Sequence, residues 1–230
     1  MSALLLAVGF FLAIHLLVSG TRLREALTVR IGQGAYMGLF SLASLAGLAW
    51  LIFAYGAARQ AQSNEVMWSV TPTTRWVQIA LQLPAMLLIV VGLTTPNPTS
   101  VGQEAALQKI DVVKGVLRIT RHPFLWGVAL WALGHLLVNG DVAGIVLFAA
   151  MLALALFGTV SIDAKRRRAL GKSWDAFAAQ TSNVPFAAMA AGRQRLNVGE
   201  IGWWRIALGV GVWAMFAWAH PYLFGVRAFP

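Results

Sequence analysis

Long apolar stretches, broken by short polar ones, set the organisation of this chain. Stretches long enough to cross a bilayer, about 20 residues at a helical rise of about 1.5 Å, recur near residues 2–20, 36–57, 76–95, 123–140, 142–161 and 204–225. Only Asn139, Gly140 and Asp141 separate the fourth from the fifth, a polar turn that predicts a helical hairpin. Pro84 falls inside the third, where its missing N–H leaves a carbonyl unpaired and predicts a kink. The pattern predicts an all-α fold, a polytopic membrane helical bundle of six transmembrane helices, as one domain over residues 1–230. The first stretch has no basic residue ahead of it and reads as a retained span, not a signal peptide.

The polar positions give the spans two sides. The intervals after spans one, three and five carry Arg22, Arg24, Arg30, Lys109, Lys114, Arg118, Arg121, Lys165, Arg166, Arg167, Arg168, Lys172, Arg193, Arg195 and Arg205, 15 of the 18 basic residues. Arg59, Arg75 and Arg227 are left for the other side. Basic loops stay in the cytoplasm, so both termini are expected on the periplasmic side of a bacterial inner membrane. Composition agrees: 59% of residues are hydrophobic, 11% are charged and the mean hydropathy is +0.71, outside the range of water-soluble domains. The net charge of +10 is arranged for anionic lipid headgroups, and no nucleic-acid partner is expected.

Within the last basic interval, residues of about 162–203, "SIDAKRRRALGKSWDAFAAQTSNVPF" reads as an amphipathic interfacial segment on the cytoplasmic face. Trp174 and Phe177 are expected to face the acyl region. A second reading has its arginines pairing with phosphates or with the propionates of a cofactor. Gly38, Ser41, Ser44 and Gly47 fall at three-residue steps and predict a helix-packing face. Trp203 and Trp204 read as an interfacial anchor.

The candidate chemistry lies in four histidines, His15, His122, His135 and His220, all in or at the edges of spans. Ionisable side chains in hydrocarbon are costly and face the protein interior. The acidic residues all fall in loops or at span ends, which disfavours a proton relay and a zinc hydrolase. The absence of cysteine removes disulfides, thiolate metal sites and iron–sulfur clusters. Neutral imidazoles in an apolar helical bundle suit a b-type haem, which needs one or two histidine nitrogens and cationic or hydroxyl groups for its propionates. Depth along the spans permits His15 with His135, and equally His15 with His122 or His135 with His220. His122, before a Pro123 that suits the first turn of a helix, sits at the cytoplasmic mouth beside Arg118 and Arg121, where an anion could bind.

Three blocks, "HLLVSGTRLREALTVRIGQGAYMGLFSLASLAGLAWL", "VLRITRHPFLWGVALWALGHLLVNGD" and "KRRRALGKSWDAFAAQTSNVPFAA", with a final "WAHP", resemble the NnrU family in order and spacing. That resemblance implies a bacterial inner-membrane protein associated with nitrite and nitric oxide reductase in denitrification. The same blocks are similar to zeta-carotene isomerase, a haem b membrane enzyme. That likeness implies His15 and His135 as axial metal ligands, with His122 and Arg121 as further cofactor-binding residues. Ala132 stands where the isomerase has a cysteine, so no thiolate can reach the iron. A fainter likeness, through "RHP" and "T..VPF", reaches isoprenylcysteine carboxyl methyltransferases, which would set Arg121, His122 and Asp163 near S-adenosylmethionine.

Four functions follow as expectations. The first is a haem b protein supporting nitrogen-oxide reductases. The others are a haem-dependent cis–trans carotenoid isomerase, which is the enzyme expected if it is one, a membrane methyltransferase, and an assembly factor without a cofactor.

Overall fold

The computed structural model describes residues 1–108 and 111–229, and among these residues the fold is helical, with no strand. Lys109, counted above among the basic residues, lies outside the described residues. The helices are α1 (Ser2–Ala13), continued by a π-helical turn over Ile14–Val18, then α2 (Leu23–Ile31), α3 (Gln33–Arg59), α4 (Pro72–Thr94) and α5 (Pro123–Val138). After these come α6 (Val142–Leu170), α7 (Lys172–Gln180), α8 (Ala187–Ala190) and α9 (Trp203–Phe224).

Each predicted span coincides with a helix. Four, α3, α4, α6 and α9, are long and apolar enough to cross a membrane; α1 with α2, bent by 79°, makes a fifth if taken as one span. At 16 residues α5 is apolar but short. The chain is thus a helical membrane bundle with four or five spans by length and composition. α6 runs on to Leu170, past the expected end at 161, because "SIDAKRRRAL" has no Gly or Pro to stop it before Gly171.

The long helices form a row. α9 packs on α4, α4 on α5, α5 on α6, and α1 lies against both α6 and α3. The α4–α5 contact is close because glycines let the backbones approach. A methyl group at Gly134 would come within 2.3 Å of Gln82 Nε2, and one at Gly127 within 2.8 Å of the Ala85 carbonyl oxygen. Pro84 lies within α4 without ending it. Along the expected packing face of α3 only Gly47 is buried, against Phe10 and Phe11 of α1; Gly38 and Ser41 are exposed. A three-residue step drifts around a helix of 3.6 residues per turn, so the stripe leaves the contact.

The loops close the row at two ends. At one end Met67 N–H donates to the Gly140 carbonyl at 2.7 Å, Val142 N–H to the Glu65 carbonyl at 3.0 Å and Ala143 N–H to Asn64 Oδ1 at 2.9 Å. At the other, Lys165 Nζ donates to the Ser19 carbonyl at 2.9 Å, Arg166 pairs with Glu104 and Arg118 with Glu200. The three basic intervals therefore share one end of the molecule, which is the sidedness that the charge count implies.

One expectation is corrected here. Trp174 and Phe177 do not face outward: they are 0% and 2% exposed and pack with Val91, Val113, Val116 and Leu117. The apolar face of α7 is covered by protein, namely α4 and the Gly115–Arg118 turn, where the sequence reading supplied lipid.

Candidate functional site

Two sets of polar side chains interrupt the apolar interior, and they differ in how their hydrogen-bonding capacity is used. The first is the set of imidazoles on α1, α5 and α9. His15 sits in the π-turn, where Ser19 N–H reaches back to the Ile14 carbonyl at 3.0 Å; such insertions recur at functional sites. Its Nδ1 lies 2.8 Å from the Phe11 carbonyl oxygen. A carbonyl only accepts, so Nδ1 carries the proton and, in a neutral ring, Nε2 keeps its lone pair. Phe11 and Phe40 flank the ring at centroid distances of 4.4 and 5.3 Å.

His135 repeats this arrangement on α5. Its Nδ1–H donates to the Trp131 carbonyl at 2.9 Å, and Gln82 of α4 donates to the same oxygen at 3.3 Å. Trp131 and Phe148 lie against the ring at 4.9 and 5.0 Å. His220, near the end of α9, donates from Nδ1 to the Val226 carbonyl at 2.8 Å, across the turn made at Gly225. The rings of His135 and His220 stand 6.5 Å apart at 21°. His15 and His135 border the same apolar cluster: Phe11 and Trp131 both pack on it, and Phe148, which stacks on His135, belongs to it.

The second set sits at the basic end. His122 caps α5 and is 2% exposed. Its Nε2–H donates to Asp163 Oδ1 at 2.7 Å, while Arg121 forks onto both oxygens of the same carboxylate, with Nε at 2.9 and 3.1 Å. Burial holds the His122 imidazole below its ordinary value, outweighing the hydrogen bond it donates to Asp163, so the ring is neutral at pH 7. Asn183 reaches Thr159 Oγ1 at 3.0 Å and Asp163 Oδ2 at 3.4 Å, and its carbonyl accepts from Trp126 Nε1 at 2.8 Å. Asn97 and Thr99 both donate to the Arg121 carbonyl, at 3.0 and 2.9 Å. Nearly every polar atom here has a partner.

The predicted site residues thus divide. Thirteen helical steps, roughly 20 Å at the usual rise, separate His122 from His135, and Arg121 and His122 spend their donors on Asp163. The anion expected beside Arg118 and Arg121 is supplied by the protein itself: Arg118 likewise turns to Glu200, at 2.7 and 2.9 Å. Asp163, which the acid count put in a loop or at a span end, stands inside α6, two residues beyond the expected end of the fifth span. Gln82, Tyr36 and Asn183 were missed. Gln78 and Gln82, one turn apart in an apolar span and both buried, were the readable signal for α4. Among the described residues, no three histidine, aspartate or glutamate side chains gather as a metal-ion cluster.

Two relatives are similar to this chain: the chloroplastic 15-cis-zeta-carotene isomerases of Zea mays and Arabidopsis thaliana, 34% and 35% identical over 82 residues. The matched stretch is 36% of this chain but 22% of each relative, so the likeness spans about a fifth of their length. No solved structure matches. A family model described as "NnrU protein" matches residues 3–228, nearly the whole chain, and the chain therefore belongs to the NnrU family.

Proposed function

We propose that this NnrU-family protein crosses the bacterial inner membrane six times, with both termini periplasmic, and holds a b-type haem through His15 and His135 in support of nitrite and nitric oxide reductases. The single observation that carries the reading is the shared tautomer. Both imidazoles donate Nδ1–H to the carbonyl four residues back, which orients the ring and leaves Nε2 for a metal, the usual arrangement of a metal-bound histidine. The donor set fits: imidazoles in an aromatic, apolar setting, and buried Tyr36 and Ser44 hydroxyls without partners. Bound there, haem would supply one-electron chemistry; the protein's part is to orient two rings, exclude water and hold the macrocycle.

A visible spectrum tests this directly. Protein purified in mild detergent from haem-replete cells is expected to show a Soret band with the sharp reduced bands of two nitrogen ligands. His15→Ala or His135→Ala is expected to abolish or reshape them. A colourless preparation overturns the reading. The 6.5 Å approach of His220 to His135 favours a variant in which His220 replaces His15; the spectrum would then respond to His220→Ala and not to His15→Ala.

A second reading, a haem-dependent cis–trans carotenoid isomerase, is supported by the likeness to the two plant 15-cis-zeta-carotene isomerases. It predicts conversion of a 15-cis-carotenoid by the haem-loaded protein, and a loaded protein giving no product removes it. For the methyltransferase reading, Arg121, His122 and Asp163 do stand together, but they saturate one another.

A further inference from the structure

The basic end contains positive charge that the protein does not neutralise. Among the described residues, ion pairs account for Arg118, Arg121, Arg166 and Arg167, with His122 on the same Asp163, but not for Arg24 or Lys165. Both of those are half-buried. Lys165 donates only to the Ser19 carbonyl, the residue that closes the π-turn bearing His15. The strongest charges acting on it are Arg24, Arg166 and Arg168, all of its own sign. Glu104 forms its ion pair with Arg166, and Arg24 acts on the same carboxylate only through its charge, without an ion pair.

Tyr36 lies beside this charge. It is 4% exposed and its hydroxyl has no hydrogen-bond partner, a costly state for a buried polar group. The Arg24 guanidinium stands 5.9 Å from its ring centroid. The Tyr36 ring stacks on Phe40 at 5.9 Å, and Phe40 meets the His15 ring edge-on at 5.3 Å. The π-turn touches α2, α3 and α6 alike, so one turn of backbone joins the free imidazole nitrogen, the buried phenol and the two cations.

We infer that Tyr36, Arg24 and Lys165 form an oxyanion anchor that receives the carboxylates of the macrocycle whose metal His15 ligates. The inference rests on the haem reading for its occupant, and it fixes the direction of the ligand: metal beside the π-turn that follows α1, acid groups toward Arg24 and Lys165. Tyr36 donates one hydrogen bond, and the two cations give charge-assisted ones of about twice the strength of neutral bonds. An uncharged ligand of the same shape would leave all three unanswered.

The test compares haem with its dimethyl ester, and iron-free protoporphyrin IX with its own dimethyl ester, on the full chain in detergent. The wild type is expected to retain each acid at least about tenfold more tightly than its ester, the scale of one charge-assisted contact. The variant Tyr36→Phe/Arg24→Gln/Lys165→Gln is expected to lose that preference while its Soret position stays unchanged, which shows that the fold and the iron ligands survive. Haem binding with no acid preference, or with a preference the variant keeps, overturns the anchor and leaves the haem reading standing. If the wild type takes no haem but prefers the iron-free acid, the anchor stands and the haem reading falls. If it binds none of the four, both fall. If instead the wild type holds anionic phospholipid that the variant releases, without acid preference, the anchor belongs to a lipid phosphate and the proposal is overturned.

Discussion

The polar knot around Asp163 and the row of imidazoles in the spans are both polar intrusions into an apolar bundle, yet they are built on opposite principles. In the knot, one carboxylate receives Arg121, His122 and Asn183, and each of those is held again by a carbonyl, a hydroxyl or an indole. In the row, each ring has one nitrogen satisfied by its own backbone and the other left open. A fully satisfied buried network specifies structure, whereas a half-satisfied one is either a defect or a ligand site. The comparison teaches that burial and polarity do not by themselves distinguish architecture from chemistry; the count of unspent donors and acceptors does.

If the knot is architecture, breaking it should cost the most. Asp163→Ala leaves Arg121 buried without its counter-charge, and about 3–5 kcal/mol of stability should be lost, read as a fall in the detergent melting temperature of cofactor-free protein. Crowding the α4–α5 seam should come next. Gly134→Val drives carbon into Gln82, 2.3 Å from where even a methyl would sit, and overpacking of this kind costs about 1–3 kcal/mol; melting and the haem spectrum should both suffer, since Gln82 braces the Trp131 carbonyl. By contrast His135→Ala should change the melting of cofactor-free protein by about 1 kcal/mol or less while eliminating haem retention. A large loss of stability from His135→Ala would erase the distinction between the two regions.

The smallest effects are titrations. The folded protein keeps His122 below its ordinary value of 6.5, so the unfolded chain takes up the proton first and stability falls as pH drops through 6.5. His122→Gln should flatten that part of the melting-temperature profile. Arg118, and then the Gly115 amide, hold the Glu200 carboxyl at about 2 against an ordinary 4.5. Its contribution is complete above 4.5 and fades as pH falls toward 2, and Glu200→Gln should remove that acid limb. Both carboxylate and guanidinium are partly exposed, so the limb is expected to shrink in high salt.

Much of the bundle was legible because span length and charge asymmetry are one-dimensional signals. The hairpin turn at Asn139–Asp141 and the start of α5 at Pro123 were fixed by local chemistry, a polar turn and a proline that needs no amide. What failed to show was which partner covers an apolar face. The amphipathic pattern of Trp174 and Phe177 is the same whether lipid or protein lies beneath it, and here it is protein. Asp163 was hidden by its position just past an assumed span end: the apolar run stops near 161, while the helix, with no Gly or Pro before Gly171, continues to Leu170. The imidazoles were identifiable as residues, but their free Nε2 atoms were not, because that depends on carbonyls four residues back.

The loop between α3 and α4 bears on how the molecule is made. The opening amides of a helix have no partner within it, and for α6 those of Val142 and Ala143 are met by the Glu65 carbonyl and the Asn64 side chain. That loop leaves the ribosome some 75 residues earlier than the helix it completes, as a span insertion order that runs along the chain requires. The acceptors on the α3–α4 loop are thus synthesised before the amides they satisfy, and those amides stay unmet until α6 reaches the loop. Asn64→Ala should accordingly slow late assembly more than it weakens any single helix.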